Sequence, residues 1–123
     1  MMKSLLAATA FVLGFAQAAF GAEKGFVCIG TEPFFAVVIS LENGEMYVDA
    51  PEYTQTQTYR VEGPHEAQGL SDGVVTVFKG VDATATLVSE VLAGKCNDGM
   101  SDNEHPYHLI LLEGNTVKYG CCR

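Results

Sequence analysis

From about residue 26 onward, apolar and polar residues alternate in short runs separated by turn-forming residues, the period of half-buried strands. Phe34-Phe35-Ala36-Val37-Val38-Ile39-Ser40-Leu41 is rich in β-branched and aromatic residues, Asn43-Gly44 interrupts it, and Met46-Tyr47-Val48 resumes the pattern. Asn-Gly between such runs predicts a hairpin. Residues 54–61 alternate as a half-exposed strand, bounded by Pro51 and by Gly63-Pro64. Residues 74–78 and 83–88 flank Lys79-Gly80-Val81-Asp82 and predict a second hairpin, the Thr and Val content favouring strand over helix in 83–92. Residues 107–112 and 116–121, joined by Glu113-Gly114-Asn115, predict a third. With a first strand near Phe26-Val27-Cys28-Ile29, the expected fold is all-β: a small antiparallel barrel or sandwich of about seven or eight strands. The segments 62–73 and 93–106 are left as long loops, and loops of that length in a compact domain are often binding elements.

The first residues follow another pattern. Lys3 precedes an apolar run, residues 5–15, too short to span a membrane. It reads as a secretory signal peptide, with small residues Ala16 and Ala18 at the cleavage site, so 1–18 is the expected leader and 19–123 a single β domain. Gly21 is the second choice of cleavage position. No Cys follows the apolar run closely enough for lipid attachment. The expected location is therefore the periplasm, with no membrane insertion after cleavage.

Fifteen acidic residues stand against seven basic ones in the 123-residue chain, and removal of Lys3 with the leader leaves six, a net charge of −9. Such a charge excludes a nucleic-acid surface and favours encounter with a basic protein. Four cysteines, Cys28, Cys96, Cys121 and Cys122, all lie in the exported part, which predicts two disulfides. The adjacent pair is a poor bridge, so each end cysteine reaches back to Cys28 or Cys96, one on each face of a terminal strand. Of the two arrangements left, Cys96 with Cys121 and Cys28 with Cys122 is preferred. Cys121-Cys122 lacks the C-x-x-C spacing of a metal or redox dithiol.

Two segments concentrate unusual chemistry. Gly30-Thr31-Glu32-Pro33-Phe34-Phe35 sets a carboxylate and two aromatics at a strand start, where alternation sends one Phe inward, and Glu32, preceding Pro, suits a turn. Residues 96–107 gather the oxygen donors Asp98, Ser101, Asp102, Asn103 and Glu104, suited to a hard cation but without EF-hand spacing. Asx-type turns made by Asp98 and Asp102 account for the same residues. His65, His105 and His108 are too scattered for a zinc site. Ser101, Asp102 and His105 are triad types crowded into one loop, and G-x-S-x-G and phosphate-loop motifs are absent. No catalytic residue, metal ligand or cofactor is therefore assigned.

Taken together, Gly30-Thr31-Glu32-Pro33-Phe34-Phe35, then Cys96 with Asp98-Gly99-Met100-Ser101-Asp102, then Pro106-Tyr107 and Gly120-Cys121 resemble a family of small uncharacterised bacterial envelope proteins and lipoproteins. Its pattern is roughly G-[NT]-E-P-F-W, C-x-D-G-M-S-D-x-x-Y-P and G-C. The resemblance spans nearly the whole exported chain. It implies a periplasmic, β-rich protein and supports the Cys96–Cys121 pairing. Phe35 stands where the family usually has Trp, and His105 where it usually has Tyr.

The function these observations favour is a non-enzymatic binding or inhibitor-like module. Its recognition surface is expected to combine Glu32, Phe34, Phe35, Asp98, Met100, Ser101, Asp102 and Tyr107, and its partner to be a basic secreted protein such as lysozyme. A metal or small-ligand carrier using the 96–107 loop and a structural envelope protein are the alternatives, and the protein is expected to be a monomer.

Overall fold

Alternation in the chain becomes closure in space. The computed structural model describes residues 25–99 and 102–123, and the strands there are β1 (Gly25–Thr31), β2 (Phe34–Ser40), β3 (Glu45–Asp49), β4 (Gln57–Glu66), β5 (Val75–Gly80), β6 (Ala83–Ser89), β7 (Cys96–Asn97), β8 (Glu104–His105), β9 (Tyr107–Glu113) and β10 (Thr116–Cys122). One helical turn, α1 (Glu90–Ala93), follows β6, with the Ser89 hydroxyl accepting from the Val91 N–H at 3.1 Å. Eight strands close into a barrel in the order β1-β2-β3-β4-β5-β6-β9-β10, every neighbouring pair antiparallel. Each pair is a sequence neighbour apart from the β7–β8 excursion and the closing β1–β10 seam. No strand of the barrel is left with an open edge.

The expected hairpins form. Ile39 pairs with Met46, Val77 with Thr86, and Glu113 with Thr116 across the Gly114-Asn115 turn, and β1 adds a further hairpin in which Phe26 pairs with Ile39. Glu32 and Pro33, joined by a cis peptide, are the turn between β1 and β2. Residues 83–89 are strand, as their Thr and Val content predicts, with helix confined to the turn after them. Gly63-Pro64, however, does not end β4. The strand runs through it to Glu66 by a bulge between Glu62 and His65, a place where a residue without an N–H does no harm to the ladder.

Because side chains alternate, Phe35, Val37 and Ile39 of β2 point inward with Met46 and Val48, Phe78, Leu87, Leu109 and Leu111, all essentially without solvent contact. Phe26 meets Phe78 and Tyr107 edge-on, with centroids at 5.8 and 5.2 Å, and fills the end where the chain enters. The two disulfides take opposite faces of β10. Cys122 points inward and bridges Cys28, its direct partner across the seam, while Cys121 points outward and bridges Cys96. The pairing preferred from the sequence is the one formed.

Candidate functional site

The outward Cys96–Cys121 bridge anchors the small β7–β8 ribbon against the outside of the seam. Cys96 pairs with His105 and Asn97 with Glu104 across the ribbon. At its tip the Asn97 side-chain oxygen accepts the Gly99 N–H at 2.7 Å, an Asx turn made by Asn97. Asp98 reaches across the ribbon: its Oδ2 lies 3.1 Å from His105 Nε2, both side chains largely shielded. One further bond ties the ribbon down. The Thr31 hydroxyl donates to the Asp98 carbonyl at 2.7 Å, across 67 positions of sequence. The segments around Thr31 and Asp98, separate in the chain, thus meet at the end of β1.

Two crevices flank this contact. One, of about 160 Å³, lies between the ribbon tip and the β1–β10 strands and has Glu32, Asn97 and Gly99 on its walls. The other, of about 290 Å³, has an apolar floor of Val27, Ile29 and Ala36, with Asp98, His105 and Arg123 around it. Asp98 is the carboxylate of both crevices and Glu32 joins it in the smaller one, while Asp102 and Glu104 are exposed elsewhere on the ribbon. An apolar floor under a carboxylate suits the methylene stem and charged head of a Lys or Arg side chain.

The structure sorts the sequence-derived residues. Glu32 and Asp98 line the first crevice together. Phe34 is exposed but borders a separate crevice with Ala36, Asp49, Ala50 and Pro51. Phe35 lies wholly inside the barrel, and Tyr107 turns inward onto Phe26, so neither ring belongs to the surface on which the sequence placed it. Met100 and Ser101 lie outside the described residues. Among the described residues no three His, Cys, Asp or Glu side chains converge as metal ligands.

Sequence reasoning missed a second polar cluster, at the barrel end opposite Phe26. Lys118 and Glu113 point inward there, and Lys118 Nζ lies 3.3 Å from Glu113 Oε1, 3.2 Å from Glu52 Oε2 and 3.3 Å from the Tyr53 hydroxyl. Tyr53 and Tyr59 donate to the two Glu113 oxygens at 2.8 and 2.7 Å. No buried side-chain polar atom among the described residues lacks a partner. Desolvation opposes the Lys118 charge, but its bonds to Tyr53, Glu52 and Glu113 outweigh it and hold the ammonium above its ordinary range. Desolvation first, then the bond to Glu113, pushes the Tyr53 and Tyr59 phenols upward. These groups satisfy one another, which makes the cluster a stopper for the barrel end.

Fold and site together define a disulfide-tied, eight-stranded meander barrel carrying an anchored acidic ribbon on its closing seam. No protein-family model, curated protein or solved structure matches the chain.

Proposed function

We propose that the protein is a periplasmic, non-enzymatic binding module that captures a basic secreted protein, with lysozyme as the partner to test, through the ribbon and the adjoining end of β1. The observation that carries this reading is the Thr31–Asp98 bond, which brings two polar sequence segments into one surface. Cys96 is held by a disulfide and Asp98 by that bond, so these two residues lose little conformational freedom on binding. The net charge of −8 steers cations toward the molecule, and Asp98 with Glu32 gives a basic side chain a place to end.

Association of the oxidised protein with a panel of lysozymes, followed by calorimetry and by inhibition of cell-wall lysis, tests the reading. Binding is expected to weaken as salt rises, and Glu32→Gln combined with Asp98→Asn to weaken it at least about tenfold. Glu42→Gln, in the turn between β2 and β3, serves as the control and is expected to bind as the parent does. A folded, fully oxidised sample that binds no lysozyme, or a double variant that binds as tightly as the control, removes this reading.

A further inference from the structure

The two disulfides differ in what surrounds them. Cys28 and Cys122 are bridged within the apolar core of the barrel. Cys96 and Cys121 are bridged outside it, where a chain of polar groups ends on one of the two sulfurs. His108 is registered with Cys121, and Tyr119, two residues before Cys121 on β10, shares its outward face. The Tyr119 hydroxyl lies 3.4 Å from Cys96 Sγ and is hydrogen-bonded to His108 Nδ1, and His108 Nε2 lies 2.8 Å from the Gly94 carbonyl. That carbonyl only accepts, so Nε2 carries a proton. Nδ1 of the neutral ring then accepts from the phenol, which turns its lone pairs to the sulfur. The sulfurs also differ in access. Cys96 has no solvent contact, whereas Cys121 keeps 2% and is on the wall of both crevices beside the ribbon.

We propose that Cys96–Cys121 is a thiol-exchange site, opened by a small thiolate that attacks Cys121 and expels Cys96. The thiolate forms a bond to Cys121 Sγ as the bridging S–S bond breaks, and the electron pair of that bond leaves on Cys96 Sγ. A thiolate accepts a hydrogen bond far more strongly than a disulfide sulfur, so the Tyr119 hydroxyl rotates to donate to it. His108 Nδ1, released by the phenol, takes a proton from solvent and donates to the Tyr119 oxygen in turn. The charge left on buried Cys96 is thereby countered within two hydrogen bonds, and the proton passes along them to complete the thiol. The second thiol of a dithiol then attacks the reductant's own sulfur in the mixed disulfide. Cys121 leaves with the electron pair and is protonated by solvent, so the dithiol is oxidised to a disulfide and the bridge reduced to two thiols. The consequence, which rests on capture of a basic protein by the ribbon, is release of that protein as the ribbon loses its covalent tie to the barrel.

Treatment of the exported, oxidised protein with limiting dithiothreitol, followed by quenching with iodoacetamide and peptide mass mapping, tests this. Cys96 and Cys121 are expected to be alkylated at least about tenfold faster than Cys28 and Cys122. Glutathione in place of dithiothreitol is expected to leave its mixed disulfide on Cys121 and an alkylated Cys96, a measurement that needs no variant. Tyr119→Phe keeps the ring and removes the hydroxyl, while His108→Gln keeps a hydrogen-bonding side chain and removes the group that takes up the proton. Each is expected to slow opening at least about tenfold. Tyr47→Phe, which removes a hydroxyl bonded to Glu45 on β3, is the control and opens as the parent does. Both bridges resisting until the barrel unfolds, or opening together, overturns the proposal. So does glutathione found on Cys96, or faster opening in Tyr119→Phe, which would make the phenol a shield. These readouts involve no partner, so a bridge that resists dithiothreitol leaves lysozyme capture standing, and a protein that binds no lysozyme leaves the exchange site standing.

Discussion

Phe35 explains at the residue scale why two glycines stand where they do. A Cβ on Gly30, its direct neighbour across β1–β2, would lie 1.9 Å from the ring. A Cβ on Gly120 would meet the Ile29 carbonyl at 2.5 Å and the ring at 3.2 Å. The three residues are one packing unit inside the barrel, so Gly30 and Phe35 of the first segment and Gly120 near the end have a structural role. Gly30→Ala is expected to lower unfolding free energy by about 2–3 kcal/mol in denaturant titration, as overpacking does. A loss under about 0.5 kcal/mol would mean the ring has another place to go. Lys118 is the second case. Removing one member of a buried charge pair typically costs about 3 kcal/mol or more, so Lys118→Ala should lose stability of that order. Parity was the available signal: Lys118 is two and four residues from Gly120 and Cys122, so a strand whose Cys122 faces the core also turns Lys118 into it. Alternation of apolar residues alone passes over a charged one inside a barrel.

The stopper also sets a pH response. Tyr53 and Tyr59 hold their protons more tightly in the folded barrel than their ordinary value of 10.0. A group raised on folding contributes stability that is intact below its unfolded pKa and lost as pH climbs toward its folded one. Stability should therefore be insensitive to these phenols at neutral pH and fall above pH 10. Ultraviolet titration is expected to show two of the five tyrosines ionising late, and Tyr59→Phe to flatten the alkaline fall in the denaturation midpoint. Five phenols titrating together near pH 10 would contradict this.

Elements were legible in proportion to their length. The hairpins between β2 and β3, β5 and β6, and β9 and β10 carry several alternating residues on each side of a turn, and each formed where expected. β7 and β8 are two residues each, too short to show a period, and they stand because Cys96 and Asp98 are tied to other strands. The meeting of Asp98 with His105 was equally hidden, since it depends on that ribbon's register. Converting Cys96 and Cys121 together to Ser should free the ribbon while leaving the barrel closed. Trypsin would then cut faster after the exposed Lys95, and the lost 25-residue closure should cost about 3.5 kcal/mol in the chain-entropy account. Unaltered cleavage at Lys95 would show that the Thr31 bond alone holds the ribbon.

At the scale of the molecule, the all-β architecture was foreseeable, but barrel and sandwich remained equal because hairpins form both. The contact that decides between them joins the first strand to the last, and nothing in local alternation encodes it. Cys28 and Cys122 face one another in that contact, 94 positions apart. For a chain threaded through a membrane N-terminus first, this arrangement has a consequence for oxidation. Cys28 and Cys96 both reach the oxidising side before Cys121 or Cys122, so the earliest bridge open to the emerging chain, Cys28 to Cys96, is one the finished barrel does not contain. Wherever that bridge forms during export, the native pairing is reached only by thiol–disulfide exchange, a consequence of the order in which four cysteines come into view.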